Sequence, residues 1–412
     1  MAAATDKARF YLEQQVPELR EWERREIFST AEIAAIAAKR SDFEHILNAR
    51  GSTPADYARY AEYEMNLDGL RRKRVQRKGV KTTAYTGQKH IFSILDRSTR
   101  KFHGDLGLWM QYLEYARSQR ANKKLNKLLT EVLRMHPTKA EVWIYAARYA
   151  VDVQADVPAA RNYMQRGLRF CSKSRAMYLE YARLEMGYVA KINARRAILG
   201  IEPEKNNTTK AVHEEAVEEI QNEDREADMI TLPMLSAEDL APQTEDDDED
   251  IRMTNLSAND PALTPAMTGA IPLAIFDAAM KKFASPPNLA EKFFDTFAIF
   301  SRVSFLSGML EHVVDKMLEV APSSPSTLSC SSRMPLIGLT TDDPAFPMAL
   351  GKVLKEIRSS LEKTSDRPML AQKLLNWLLP MSAEQSLGPE LKKVISATLK
   401  VLKREINDTA GT

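Results

Sequence analysis

The side chains able to do chemistry are few in this sequence and poorly spaced for it. Six histidines (His45, His90, His103, His136, His213 and His312) and two cysteines (Cys171 and Cys330) are the candidates for transition-metal ligation. No histidine stands at a ligand spacing from another histidine or from a cysteine, and there is no C-x-x-C pair. The sequence has no Gly-rich phosphate loop and no nucleophile elbow. Cys171 lies between Arg169 and Lys173, which would favour its thiolate, but a thiol ending an amphipathic helix is expected to be packing. Sixteen carboxylates and one arginine occupy the stretch from Glu214 to Asp250. They lack the glycine-punctuated pattern of a calcium loop, so they are expected to be solvated acids. No catalytic residue, cofactor or metal is expected.

Charge is the other chemical resource. Between Arg71 and Lys101 stand eleven basic residues and one acid, Asp96. Arg71, Arg72, Lys73, Arg74, Arg77, Lys78 and Lys81 form the dense part, and a solvated helix face normally mixes signs. Three readings fit: a patch for RNA phosphates, a nuclear localisation cluster, or a dock for an acidic protein segment. Beyond Tyr85 the stretch has few rings for base stacking, which argues against sequence-specific RNA reading. The net charge of +2 conceals the polarity of the whole chain. Residues 1–200 hold 37 Lys+Arg and 22 Asp+Glu, leaving 21 and 34 for residues 201–412. A basic half beside an acidic half points to nucleic acid or an acidic partner on the first.

The elements that position these charges are set by a repeat. Trp109-Met-Gln-Tyr112-Leu-Glu-Tyr115-Ala116, Trp143-Ile-Tyr-Ala146-Ala-Arg-Tyr149-Ala150 and Tyr178-Leu-Glu-Tyr181-Ala-Arg-Leu184-Glu185 are three copies of one pattern. The copies start 34 and then 35 residues apart, and a recurrence of that length marks a helical solenoid of stacked helix pairs. Rings at i, i+3 and near i+6 lie on one helix face. Each ring helix is followed by a second apolar-periodic segment, such as Leu125, Leu128, Leu129, Val132 and Leu133. Tyr57, Tyr60, Tyr63 and Glu64 align as a divergent earlier unit. The signature residues Tyr57, Tyr60, Glu64, Trp109, Tyr112, Trp143, Tyr149, Tyr178, Tyr181 and Glu185 are expected to pack between helices. Ser29 with Glu32, and Thr138 with Glu141, have capping-box spacing, and Thr53-Pro54-Ala-Asp56 should start another helix. Gly is scarce and long Val/Ile/Thr runs are absent, which favours an all-α chain. No apolar run reaches membrane-span length, no signal-peptide core opens the chain, and two cysteines suggest reduced intracellular thiols.

The Trp/Tyr-x-x-Tyr-x-x-x-Glu pattern followed by an Ala-Arg helix resembles HAT (half-a-tetratricopeptide) repeats of RNA-processing proteins. Val16-Pro-Glu-Leu19, Ile27-Phe28-Ser29, Glu32-Ile33, Lys39-Arg40, Phe43-Glu44, Tyr63-Glu64 and Leu70-Arg71-Arg72-Lys73-Arg74 resemble the U3 small nucleolar RNA-associated protein 6 family. The resemblance covers roughly residues 10–200. It implies a nucleolar scaffold of the small-subunit processome, in the UtpB subcomplex beside propeller proteins, acting in early cleavage of pre-ribosomal RNA. The implied partners are those subunits and the U3 snoRNA/pre-rRNA particle, with direct RNA contact left open and no membrane. Ala116 and Ala150 replace the motif Glu and Ala146 replaces the motif Tyr, departures expected to leave those helix ends less firmly fixed.

The expected architecture is an all-α, right-handed α-solenoid of HAT helix pairs. Residues 1–52 form an N-terminal helical module and 53–202 the repeats, with a basic insertion at 71–101. Residues 203–260 read as an acidic, largely disordered linker, 261–320 as divergent HAT-like helices, 321–345 as a Ser/Pro-rich loop and 346–412 as closing helices. The functional expectation is a non-catalytic scaffold in U3-dependent pre-rRNA processing and 18S maturation. The alternative is a HAT-repeat RNA-binding factor in splicing or 3′-end processing that uses the basic region.

Overall fold

The computed structural model describes residues 2–80, 86–198, 269–301, 303, 305–341, 343–383 and 387–410. The expected linker at 203–260, with Lys81 and Tyr85, lies outside them. Among the described residues every regular element is a helix, and the fold is an all-α solenoid.

Pro17 falls in the first turn of α2 (Val16–Arg24), separating it from α1 (Ala2–Glu13). The Ser29 capping box opens α3 (Thr30–Asn48): the Ser29 hydroxyl accepts from the Glu32 amide at 3.3 Å, and the Ser29 amide donates to the Glu32 carboxylate at 2.9 Å. The amide and hydroxyl of Thr53 both donate to Asp56 at 2.8 Å, and α4 (Pro54–Lys78) follows with Pro54 in its first turn. Gly79, in the left-handed region at φ +64°, ends α4. Then come α5 (Thr86–Lys101), α6 (Leu106–Ser118), α7 (Asn122–Met135), α8 (Ala140–Asp152), α9 (Val157–Phe170) and α10 (Arg175–Ile198). Helices α4/α5, α6/α7 and α8/α9 pack as consecutive pairs.

Three sequence expectations are corrected here. The basic stretch 71–101 is not an insertion between units. It is the last part of α4, 25 residues long against 13 for α6, together with α5, the partner helix of the first pair. Ile91, Ile94 and Leu95 bury one face of α5. The Thr138–Glu141 capping box does not form: α8 begins at Ala140, with Lys139 at the cap and no side-chain hydrogen bond there. The supposed loop at 321–345 contains α14 (Pro325–Arg333) and a 3₁₀ turn at Met334–Leu336. Two of its buried serines hydrogen-bond inside the core, while the buried Thr327 hydroxyl has no partner. The Ser332 hydroxyl donates to Leu328 O at 2.7 Å and lies 3.0 Å from the Ser360 hydroxyl, and Ser326 donates to Asn288 at 2.8 Å.

The helices α11 (Ala270–Phe283), α12 (Pro287–Ala298) and α13 (Leu306–Val320) continue the array. Helix α10 packs on α11, and Tyr178 meets Phe283 edge to face at 5.5 Å. One hydrophobic core therefore runs from Leu47 to Cys330. A second core joins α14 to α15 (Phe346–Lys363), α16 (Arg367–Ala383) and α17 (Pro389–Ala410) around Leu350, Val353, Leu374 and Ile395. A small third core gathers Trp22, Ile27, Phe28 and Ile36 at the N-terminal end.

Candidate nucleic-acid interface

The ten signature residues Tyr57, Tyr60, Glu64, Trp109, Tyr112, Trp143, Tyr149, Tyr178, Tyr181 and Glu185 are all buried, and the polar tips of the rings follow a rule. Trp109 Nε1 donates to His103 O at 2.9 Å, and Trp143 Nε1 donates to Pro137 O at 2.8 Å. Each indole reaches the carbonyl six residues earlier, in the turn that joins two units. The ring therefore fills the helix interface and pins the connection at once. The rings at the next motif position look back sixteen residues: the Tyr112 hydroxyl donates to Asp96, and Gln165 donates to the Tyr181 hydroxyl at 3.4 Å.

The motif Glu is also explained. Arg40 on α3 makes a two-pronged bond to Glu64 on α4, with both N–O distances 2.8 Å. Arg161 on α9 makes the same bond to Glu185 on α10, at 2.8 and 2.7 Å. Both pairs are 24 residues apart. In the two units where Ala116 and Ala150 stand in for Glu, the residues 24 positions earlier are Phe92 and Asn126. The arginine and the glutamate are lost together, and Phe92 packs its ring on Tyr115 at 5.0 Å instead. The first of these units is closed by a ring where the others use an ion pair, and in the second Asn126 accepts from Gln154 at 3.1 Å.

The N-terminal pairs concentrate buried charge. Arg97 forks onto Glu44 at 2.7 and 2.9 Å and lies 3.9 Å over the Tyr11 ring. Arg40 lies 5.3 Å over Trp22. His90 Nε2 sits 3.1 Å from the Tyr60 hydroxyl. Burial, with the charges of Arg40 and Arg97, holds its imidazole well below its ordinary pKa, so it is neutral and structural. Cys171 donates to Pro137 O at 3.3 Å, and burial pushes its thiol up, away from a reactive thiolate. Burial pushes Cys330 up to about 12. No group of three or more His, Cys, Asp or Glu residues placed to hold a metal occurs among the described residues.

The dense basic cluster on α4 is divided between internal pairs and the surface. Arg71 is buried against Asp68 at 2.7 Å, Arg72 pairs with the same carboxylate, and Arg74 forks onto Glu32 on α3 at 2.8 Å while covering Phe28. Lys78 donates to Glu26 O. Arg74 and Lys78 bind the long helix to the N-terminal module, whereas Arg71 and Arg72 pair within α4. Lys73 and Arg77 remain exposed, and Lys81 lies outside the described residues. Sequence reasoning missed Arg40, Glu44, Arg97 and Arg161, although the 24-residue Arg-to-Glu spacing was there to find.

Further exposed positive charge lies on other helices. Helices α5, α7 and α9 carry eleven Lys and Arg against two carboxylates, Asp96 and Glu131. Between α5 and α7 a cleft of about 570 Å³ is lined by Arg100, Lys123, Lys124, Lys127 and Arg134, with those two acids.

Stacked helix pairs pinned at their turns and tied across units by ring contacts and ion pairs define an α-helical repeat protein, the class whose members offer long surfaces to partners. A family model described as U3 small nucleolar RNA-associated protein 6 matches residues 12–97, the segment containing the buried charge network. A Schizosaccharomyces pombe protein of that name is 35% identical over 240 residues, covering 57% of this chain and 48% of the relative. The similarly named homologues of Mus musculus and Homo sapiens are 31% and 30% identical over 185 residues, 44% of this chain and 31% of each relative. Through this N-terminal region the chain is similar to the U3 small nucleolar RNA-associated protein 6 family. It spans about half the length of the fission-yeast relative and about a third of the mammalian ones.

Proposed function

We propose that the chain is a non-catalytic scaffold subunit in ribosome biogenesis. In this reading it supports U3-dependent processing of pre-ribosomal RNA and maturation of 18S rRNA in the nucleolus, alongside propeller subunits of the UtpB subcomplex. The carrying observation is the match over residues 12–97, because the matched segment holds the Arg40–Glu64 and Arg97–Glu44 pairs that lock the first helices together. The fold supports the same reading: an array of helix pairs offers extended faces to several partners at once. Purification of the tagged chain from cells, with quantification of co-purified RNA, tests the proposal. U3 RNA enriched at least tenfold over a spliceosomal small nuclear RNA is expected. Equal recovery of both would overturn it in favour of a general RNA-processing role.

A further inference from the structure

We propose that the surface formed by α5 and α7, with the adjoining end of α1, is a binding site for single-stranded RNA that holds the phosphate backbone. Three observations carry it.

The first is register. Lys89 and Arg100 on α5 are eleven residues apart, as are Lys123 and Arg134 on α7 with Lys127 between them. Spacings of four and eleven return to one helix face. At 1.5 Å per residue each stripe is roughly 16 Å long. Two rows of cations of that length, meeting at one cleft, suit a chain of regularly spaced phosphates.

The second is availability. Lys89, Arg100, Lys123, Lys127 and Arg134 are exposed, and among the described residues none has a carboxylate within ion-pair reach. In the α4 cluster, by contrast, Arg71, Arg72, Arg74 and Lys78 are engaged by Asp68, Glu32 and backbone carbonyls, which leaves only Lys73 and Arg77 unpaired among its described residues. Cations already paired inside the protein release no counterions when a polyanion arrives, whereas unpaired ones do.

The third is continuity with rings. The α5/α7 cleft adjoins one of about 370 Å³ lined by Tyr11, Lys89 and Phe92, and another of about 890 Å³ lined by Phe10, Tyr11 and Lys7. Arg100 lines all three. Phe10, 57% exposed, is the most open of these rings; Tyr11 and Phe92 are half-buried, with Arg97 at 3.9 Å over the first and Lys124 at 4.2 Å over the second. Unstacked bases pack on such rings, and those of a duplex do not. An acidic protein segment would instead need an apolar anchor. Trp109 and Leu128, at the floor of the α5/α7 cleft, are already buried in the repeat core.

This inference deepens the proposed function by naming a surface and a ligand class, and it rests on that reading only for the kind of RNA met in the cell. The test is fluorescence anisotropy of the full chain with a 20-nucleotide oligouridylate across a salt series. Lys123→Glu/Lys127→Glu/Arg134→Glu is expected to weaken binding at least tenfold. Its log–log salt slope should become shallower by roughly 2, since each lost single-strand phosphate contact removes about 0.7. Lys73→Glu/Arg77→Glu is expected to stay within twofold of the parent. Should the triple reversal unfold the chain, as read by circular dichroism, Lys123→Gln/Lys127→Gln/Arg134→Gln gives the same readout. Unchanged affinity in a folded triple variant, or a polyglutamate of equal charge binding as tightly as the RNA, overturns the assignment. A chain that co-purifies U3 RNA while its folded triple variant binds oligouridylate normally would keep the proposed function and lose this surface.

Discussion

Glu64 and Glu185 show what the signature carboxylate does: it receives an arginine from the preceding helix. Arg40 and Glu64 are nearly inaccessible to water, so removing one partner strands the other. Glu64→Ala is expected to cost about 3–5 kcal/mol for that reason. Arg40→Phe/Glu64→Ala, which copies the Phe92/Ala116 arrangement of the next unit, should cost less than Glu64→Ala alone. Urea unfolding of the singles and the double checks this, and additive losses would contradict it. His90 makes the second prediction. In the unfolded chain a histidine gains a proton below about pH 6.5, whereas the buried His90 resists it. The unfolded state therefore binds more protons there, and stability should fall as pH drops from 7 to 5.5. His90→Gln should flatten that slope. At lower pH the Arg74 contact acts in the same direction. Hydrogen bonds from Arg74 and Ser29 hold Glu32 at about 2, so the stability it lends is present above about 4.5 and is lost as pH falls toward 2.

At the scale of elements, the rings set the helix interfaces. Trp143 on α8 stacks on Phe170 of α9 at 5.8 Å, and a Cβ added to Gly167 would lie 2.9 Å from the indole. Trp143→Ala is expected to cost about 3–5 kcal/mol, and Gly167→Ala about 1–3 kcal/mol by overpacking. Thermal unfolding of each variant measures it; a wild-type melt for Trp143→Ala would mean the ring carries no interface. Much of this was legible, because the ring helices α6, α8 and α10 announce themselves by period. Helix α5 was not, although Ile91, Ile94 and Leu95 supply the period, because its basic residues and the long α4 made it resemble an insertion. Helix α14 was hidden for another reason. Its serines and threonine look like loop composition, and only the surrounding helices show that Ser326 and Ser332 bond inside the core.

At the scale of the whole molecule, the charge polarity was visible in the sequence, but the surface that carries it was not. Sequence treats Arg71 and Lys127 alike; the fold buries one against Asp68 and leaves the other exposed. A continuous core from Leu47 to Cys330 makes the array one body across α10 and α11, which suits a spacer holding partners at fixed separation. Depletion of the protein from cells, followed by measurement of the two large ribosomal RNAs, tests the central functional claim most directly. A selective fall in 18S rRNA with accumulation of its uncleaved precursor is the expected result, with the large-subunit rRNA unchanged. Unaltered 18S levels accompanied by a defect in splicing or 3′-end formation would contradict it.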